Sequence, residues 1–357
     1  MYVKQQEKVG LVLTGGGAKG AYHVGAIRAL AELNIKVDAI AGASIGALNG
    51  AIVASAEDMA SGYRQLRNVW GLLASDKVLE VSYQAPVYFS VLAALAAARG
   101  VPLLSGGAML INRVAEECGV DWAAGNTHLF DDKPLIDKLA QYTSPEAMRK
   151  GLPMYASVYE SSGGLGDLAK VFGAALRLAN TGNSEFIHLQ SLSDAEMQQT
   201  LLASAALPLL FKTRRVQGKN YTDGGQGDWW GAGGNTPVKP LADAGCSSVI
   251  IVHLCDGSMW DRRQYPNLNI IEIRPNTPIH RSGKMSDLLG FDATRIDSWI
   301  AQGYQDTMKT LRRIIEVSGA YDRLLASEQA LRNSFKGNQD ADAALGDAMN
   351  RIRRYSR

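Results

Sequence analysis

Cysteine is scarce: Cys118, Cys246 and Cys255 are the only three in 357 residues, widely spaced and without a C-x-x-C pair. That excludes a disulfide framework. No cluster with the five histidines forms a metal set, so no metal is expected. An excess of one charge is also missing, since 37 basic side chains stand against 35 acidic ones. A formal charge of +2 is too weak a field to imply a nucleic-acid polymer as partner. Long apolar runs are absent as well. The longest stretch, 85–104, is broken by Arg99 and Gly100, and its continuous part, Val87–Ala98, falls far short of the ~20 residues a spanning helix needs. It reads as buried core, with a lid or a membrane-touching surface as the alternative. The polar start, Met1 to Lys8, lacks the apolar centre of a secretory signal, which makes the cytoplasm the expected compartment. No internal repeat and no long low-complexity linker stands out.

What is present is a globular composition, 46% apolar and 20% charged, ample for a sizeable core. Val9–Leu13 is a short apolar run that ends in Thr14 and three glycines, the pattern of a buried strand opening into a tight loop. Val24, Ile27, Ala29, Leu30 and Leu33 then recur at helical spacing. A second strand is expected at Val37–Ala41 and a second helix at Ile45–Ala56. Strand, helix, strand, helix within about sixty residues calls for parallel strands with right-handed crossovers, which gathers the following loops on one edge of the sheet. Further strands are expected at Pro153–Tyr159, Ser248–Leu254 and Asn269–Ile273, and further helices at Glu196–Ala206 and Ile296–Val317. From Ser318 the chain is helical, charged and Ala-rich.

Gly42-Ala43-Ser44-Ile45-Gly46 fits G-x-S-x-G at a strand-to-helix junction. There the serine occupies a strained turn, the glycines let strand and helix pass closely, and the helix amino end favours negative charge. Gly15, Gly16 and Gly17 supply backbone N–H groups of the kind that stabilise an oxyanion. Gly15, Gly17 and Gly20 also match the dinucleotide fingerprint G-x-G-x-x-G, but the acidic residue that should close the second strand is missing: Asp38 opens it. A serine nucleophile needs a base. None of the five histidines has a motif around it, whereas Asp223 stands in an open turn, Asp223-Gly224-Gly225, and a carboxylate within about 3 Å of the hydroxyl takes its proton directly. A plain β-turn is the alternative for that segment.

These blocks together resemble the patatin-like phospholipases. GGGAKG at 15–20, GASIG at 42–46, ASAALPLLF at 203–211 and DGG at 223–225 follow the order of that family, and Asn235-Thr236-Pro237 is similar to its Asn-Pro element. The resemblance implies an α/β fold, a three-layer α/β/α sandwich related to the α/β-hydrolases, with a mostly parallel central sheet. It would form a catalytic domain over 1–317, with an insertion at about 72–130, followed by a helical extension over 318–357. It implies Ser44 as nucleophile, Asp223 as base, and Gly15, Gly16 and Gly17 as oxyanion donors. The expected activity is hydrolysis of fatty acyl esters in membrane phospholipids at the inner face of the cell membrane, an acyl transfer that requires no organic cofactor. Lys19, Lys212, Arg214 and Arg215 are candidates for holding a lipid phosphate, with a solvated hairpin face as the alternative for the last three. The length and the insertion are also similar to bacterial patatin-like effectors that stay quiet until a ligand binds, some of them cyclic-nucleotide responders in phage defence. A cyclic nucleotide or an activating protein is therefore the expected regulator. The rival readings are a dinucleotide-binding protein and a catalytically silent membrane-binding protein.

Overall fold

The structure is a computed structural model. It describes residues 7–75, 141–163, 167, 170, 173–174, 178–206, 213–255, 257, 259–279 and 293–355. The apolar run Val87–Ala98, most of the expected insertion, Lys212 and the end of the ASAALPLLF block lie outside the described residues. The chain forms two units, Met1–Thr307 and Met308–Arg357.

The first unit runs β1 (Val9–Leu13), α1 (Ala21–Glu32), β2 (Ala39–Ala43), α2 (Ile45–Ala54), α3 (Met59–Ser75), α4 (Pro145–Lys150), β3 (Met154–Glu160), β4 (Glu185–His188), α5 (Asp194–Ser204), β5 (Arg214–Val216), β6 (Lys219–Asp223), α6 (Lys239–Asp243), β7 (Ser248–Val252) and β8 (Asn269–Ile273). The first turns of α7 (Ala293–Tyr355) complete it. The sheet order is β5-β6-β3-β2-β1-β7-β8, with β4 paired to β3. β8, β7, β1, β2 and β3 are mutually parallel, while β4 and β6 run antiparallel to β3, and β5 antiparallel to β6.

The central strands are buried on both faces, as continuous apolar runs require. On one face Val12, Ala41, Val249 and Ile251 pack with Leu241 of α6 and Trp260. Leu11, Leu13 and Ile40, fully buried, alternate to the other face, where α2 packs on β1 and β2 and α1 and α2 pack on α3. This is the expected sheet between helical layers. β2 starts two residues later than the apolar run suggests, because Asp38 is engaged at its mouth: its N–H donates to the Val9 carbonyl at 2.8 Å, and its Oδ2 accepts from the Val9 N–H at 2.7 Å. The three antiparallel strands escape the search for apolar runs because they are short and largely polar. Their ladder bonds, rather than apolar side chains, fix them. Among the described residues no helix is long and apolar enough to cross a membrane.

α1 is clamped by the first turns of α7. A Cβ on Gly25 would lie 1.9 Å from the Ile300 carbonyl oxygen, and one on Gly303 would lie 2.1 Å from the Tyr22 carbonyl oxygen. The two backbones touch because neither glycine has a side chain. Tyr22 Oη donates to Asp306 Oδ2 at 3.1 Å, and the same oxygen accepts from the Asn276 N–H at 3.1 Å. Since α1 carries the glycine loop at its amino end, this clamp sets where the loop sits. Gly25→Ala is expected to cost about 1–3 kcal/mol through overpacking. Gly71→Ala in α3, where the nearest atom would be Arg67 Nη1 at 4.0 Å, should instead stabilise by up to ~1 kcal/mol through helix propensity. Urea denaturation of both variants checks the pair, and equal effects would refute the clamp.

Candidate active site

The carboxyl edge of the parallel strands brings two motifs together. Ser44 follows β2 directly and holds φ 53°, ψ −127°, a left-handed conformation costly for a residue with a Cβ. Its neighbours explain how the turn survives. A Cβ on Gly42 would lie 2.4 Å from the Gly46 carbonyl oxygen, and one on Gly46 would lie 2.0 Å from that of Leu13. The Ser44 N–H donates to Ser204 Oγ at 3.0 Å, and that hydroxyl donates to the Ser157 carbonyl at 2.6 Å. Neither partner was singled out in the sequence, although Ser204 lies inside the ASAALPLLF block.

The glycine loop lies against this elbow. A Cβ on Gly15 would come within 3.1 Å of Ser44 Cβ and 2.5 Å of Asn235 Oδ1. The Gly15 N–H is already committed, donating to Asn235 Oδ1 at 3.0 Å. The N–H groups of Gly16 and Gly17 donate to no acceptor among the described residues, so of the three expected donors these two are available. Gly17 sits at φ 59°. Behind the loop, Asn49 of α2 donates to the Gly20 carbonyl at 3.0 Å and accepts from Trp70 Nε1 at 3.0 Å, which ties the loop to the elbow helix.

Register places the carboxylate. Ala43 pairs with Ser157 and Asp223 pairs with Val158, so Ser44 and Asp223 end their strands at the same level on either side of β3. Two strand spacings, roughly 10 Å, separate the backbones, and the side chains close that distance. Asp223 is 3% exposed. Its Oδ1 accepts from the Gly225 N–H at 2.8 Å, while Oδ2 is buried without a hydrogen-bond partner among the described residues. Burial raises its pKa to about 6, held back by the nearby Ser44 hydroxyl and the Gly225 N–H. The hydroxyl is near enough to act on the carboxylate, yet no bond of ordinary geometry joins it to Oδ2. Loose contacts of this kind are common in unliganded sites and tighten around substrate.

The three described histidines have contacts of their own. His23 is fully buried in α1, with its pKa lowered to about 3 by burial, and its Nδ1 lies 3.3 Å from Asn49 Nδ2. His253 meets Glu272 at 3.0 Å and His188 lies over Tyr155, whereas His128 and His280 are outside the described residues. Among the described basic candidates, Arg214 and Arg215 do not share one cradle. Lys19 is 7% exposed and tucked beside Gly16. Arg214 and Arg215 are consecutive in β5 and point to opposite faces, and Lys219 pairs with Glu160 and Glu185. Asp38 stays at the amino end of β2, the wrong edge for a ribose. Among the described residues no three His, Cys, Asp or Glu side chains form a metal set.

A family model described as patatin-like phospholipase matches residues 11–242. Among curated relatives, lysophospholipase NTE1 of Coccidioides immitis (strain RS) is 40% identical over 84 residues, 23% of this chain and 5% of that protein. Lysophospholipase nte1 of Aspergillus terreus is 48% identical over 67 residues, 19% of this chain and 4% of that protein. The patatin-like phospholipase domain-containing protein ZK370.4 of Caenorhabditis elegans is 39% identical over 89 residues, 23% of this chain and 6% of that protein. The chain thus spans only a small part of these relatives. Among solved structures, VipD from Legionella pneumophila is similar with TM-score 0.43 and 15% identity, covering 87% of this chain and 67% of that one. The ExoU–SpcU complex of Pseudomonas aeruginosa gives 0.33 and 14%, covering 86% and 52%.

The raised pKa of Asp223 has a consequence for stability. Its folded value, about 6, stands above the ordinary 3.8, so the ionised carboxylate costs the fold roughly 3 kcal/mol above pH 6, and the cost fades as pH falls through about 4. Asp223→Asn removes the charge and keeps an oxygen for the Gly225 N–H. It should therefore raise stability by about 1–3 kcal/mol at pH 8 and by nothing measurable near pH 3.5. Denaturant titrations at both pH values test this, and a variant destabilised at pH 8 would contradict it.

Proposed function

The chain belongs to the patatin-like phospholipase family, and from that premise we propose that it is a serine acyl hydrolase cleaving fatty acyl esters of membrane phospholipids. The observation that carries this reading is a hydroxyl on a strained elbow beside a buried carboxylate whose pKa is about 6. A base near neutrality combines an ionised ground state with useful proton affinity. Ser44 Oγ attacks the ester carbonyl while its proton passes to Asp223 Oδ2, the oxygen without a partner. The tetrahedral oxyanion is held by the N–H groups of Gly16 and Gly17, each worth about 10²–10³ in rate. Collapse expels the alcohol half of the lipid, which takes the proton from Asp223. Water, activated by the same carboxylate, then frees the fatty acid and restores Ser44. No cofactor enters these steps.

Similarity to lysophospholipases brings single-chain lysophospholipids into the substrate panel beside diacyl lipids. The site of action is the inner face of the cell membrane. There, an enzyme sharing its compartment with the lipids it destroys needs restraint, which a closed state opened by a ligand supplies. A cyclic nucleotide made in phage defence, or an activating protein, is that opener in a bacterial effector of this kind. Driving such a gate from 1:99 to 99:1 takes about 5.5 kcal/mol of preferential binding.

Fatty-acid release from phospholipid and lysophospholipid vesicles tests the chemistry. Ser44→Ala and Asp223→Asn should each lose at least ~10³ of the rate, and wild-type kcat should fall about tenfold per pH unit below pH 6 as Asp223 takes up a proton. Loss of only tenfold in either variant would remove that residue from its role. For the gate, low basal release that rises sharply with one member of a cyclic-nucleotide panel or with cell extract is expected. Full release by the purified protein, with no further rise, would overturn it.

A further inference from the structure

The second unit, Met308–Arg357, is one stretch of α7 as far as Tyr355, and large apolar side chains are exposed along it. Ile314 is 40% exposed, Val317 65%, Leu331 58%, Phe335 61%, Leu345 62% and Met349 50%. An exposed stripe of this kind calls for a partner, because helices in proteins owe their stability chiefly to packing of the apolar face. The spacing identifies what covers it. All six residues fall on the first or fourth place of one unbroken seven-residue frame, and the sequence fills the same frame with Tyr321, Leu324, Glu328, Asn338, Asp342 and Ile352. Ile315, 46% exposed, stands beside the stripe. An apolar repeat of 3.5 residues, kept at nine of the twelve first and fourth places between 314 and 352, fits a left-handed coiled coil with another helix.

We propose that residues 308–357 pair antiparallel with the same segment of a second copy of this chain. In an antiparallel pair first places meet fourth places. Centred on residue 333, the frame is self-complementary: 314 meets 352, 317 meets 349, 321 meets 345 and 331 meets 335, all apolar with apolar. Glu328 meets Asn338, so a carboxylate finds an amide, and only the Leu324 and Asp342 layer is mixed. A parallel pair would set each residue against itself, with two Glu328 carboxylates and two Asp342 carboxylates in the seam, where like charges cannot both stay ionised without cost. The seventh places decide the same way. Ala320, Ser327, Ser334, Ala341 and Ala348 are all small; antiparallel helices bring that column against itself and approach closely.

Sedimentation equilibrium of the full purified chain at about 10 µM is expected to give twice 38.4 kDa. Leu331→Asp combined with Phe335→Asp should shift it to monomer. The near-ultraviolet circular dichroism of the six tryptophans, all before residue 308, should stay unchanged, which shows that the first unit remains folded. Orientation is read from Val317→Cys with Met349→Cys after oxidation. Thirty-two residues of helix hold these positions roughly 48 Å apart within one chain, so a 317–349 disulfide found by peptide mapping links two copies. Linkages of 317 to 317 and 349 to 349 would overturn the antiparallel arrangement. A native chain that sediments as a monomer would overturn the self-pairing, whatever other helix binds the stripe.

Discussion

The site depends on one circuit of buried hydrogen bonds that passes through Ser157. The Ser44 N–H rests on Ser204 Oγ, which donates to the Ser157 carbonyl. The Ser157 hydroxyl donates to the Gly234 carbonyl at 2.7 Å, and the next residue, Asn235, accepts from the Gly15 N–H. Elbow, central strand, the loop after Asp223 and the glycine loop are thereby held to one another. A Cβ on Gly224 would lie 2.1 Å from the Ser157 carbonyl oxygen, so the carboxylate loop is pressed on the same residue. Each such bond contributes only about 1 kcal/mol net, but a buried group left unpaired costs 1–3 kcal/mol, and the members of such a network stand or fall together. The strain at Ser44 persists because the circuit and the glycine contacts leave the turn no alternative.

Asp223 shows the opposing demand. A carboxylate taken out of water loses hydration, and a single Gly225 N–H does not replace it. Burial, with Oδ2 left without a partner among the described residues, is what lifts its proton affinity toward neutrality. Stability given up at this residue and basicity gained there are the same quantity seen from two sides, and the surrounding sheet, buried on both faces, is rigid enough to carry the cost.

The parallel half of the fold was legible because its strands are apolar runs and its helices keep a 3.6-residue period. β1 and β8 run over the very residues expected. The antiparallel half was not, because Glu185–His188 and Lys219–Asp223 owe their place to neighbours rather than to their own pattern. Ser44, Asp223 and the glycine loop announced themselves through glycines that only tight turns require. Ser157, Ser204, Asn49 and the grip of Asn235 on Gly15 are hydroxyls and amides in ordinary surroundings, and the folded chain alone gives them partners. Among the described basic residues, strand alternation sends Arg214 and Arg215 to opposite faces, and Lys19 lies beside Gly16. The heptads of α7 were present in the letters but emerge only when counted over their full length.

The pairing of Ser44 with Asp223 is tested most directly by the rate at which a fluorophosphonate labels Ser44, followed by mass spectrometry from about pH 4 to pH 8. A carboxylate base with pKa about 6 requires a labelling rate that rises with a midpoint near that value and collapses in Asp223→Asn. Labelling that is flat across the range and undiminished in Asp223→Asn would contradict it.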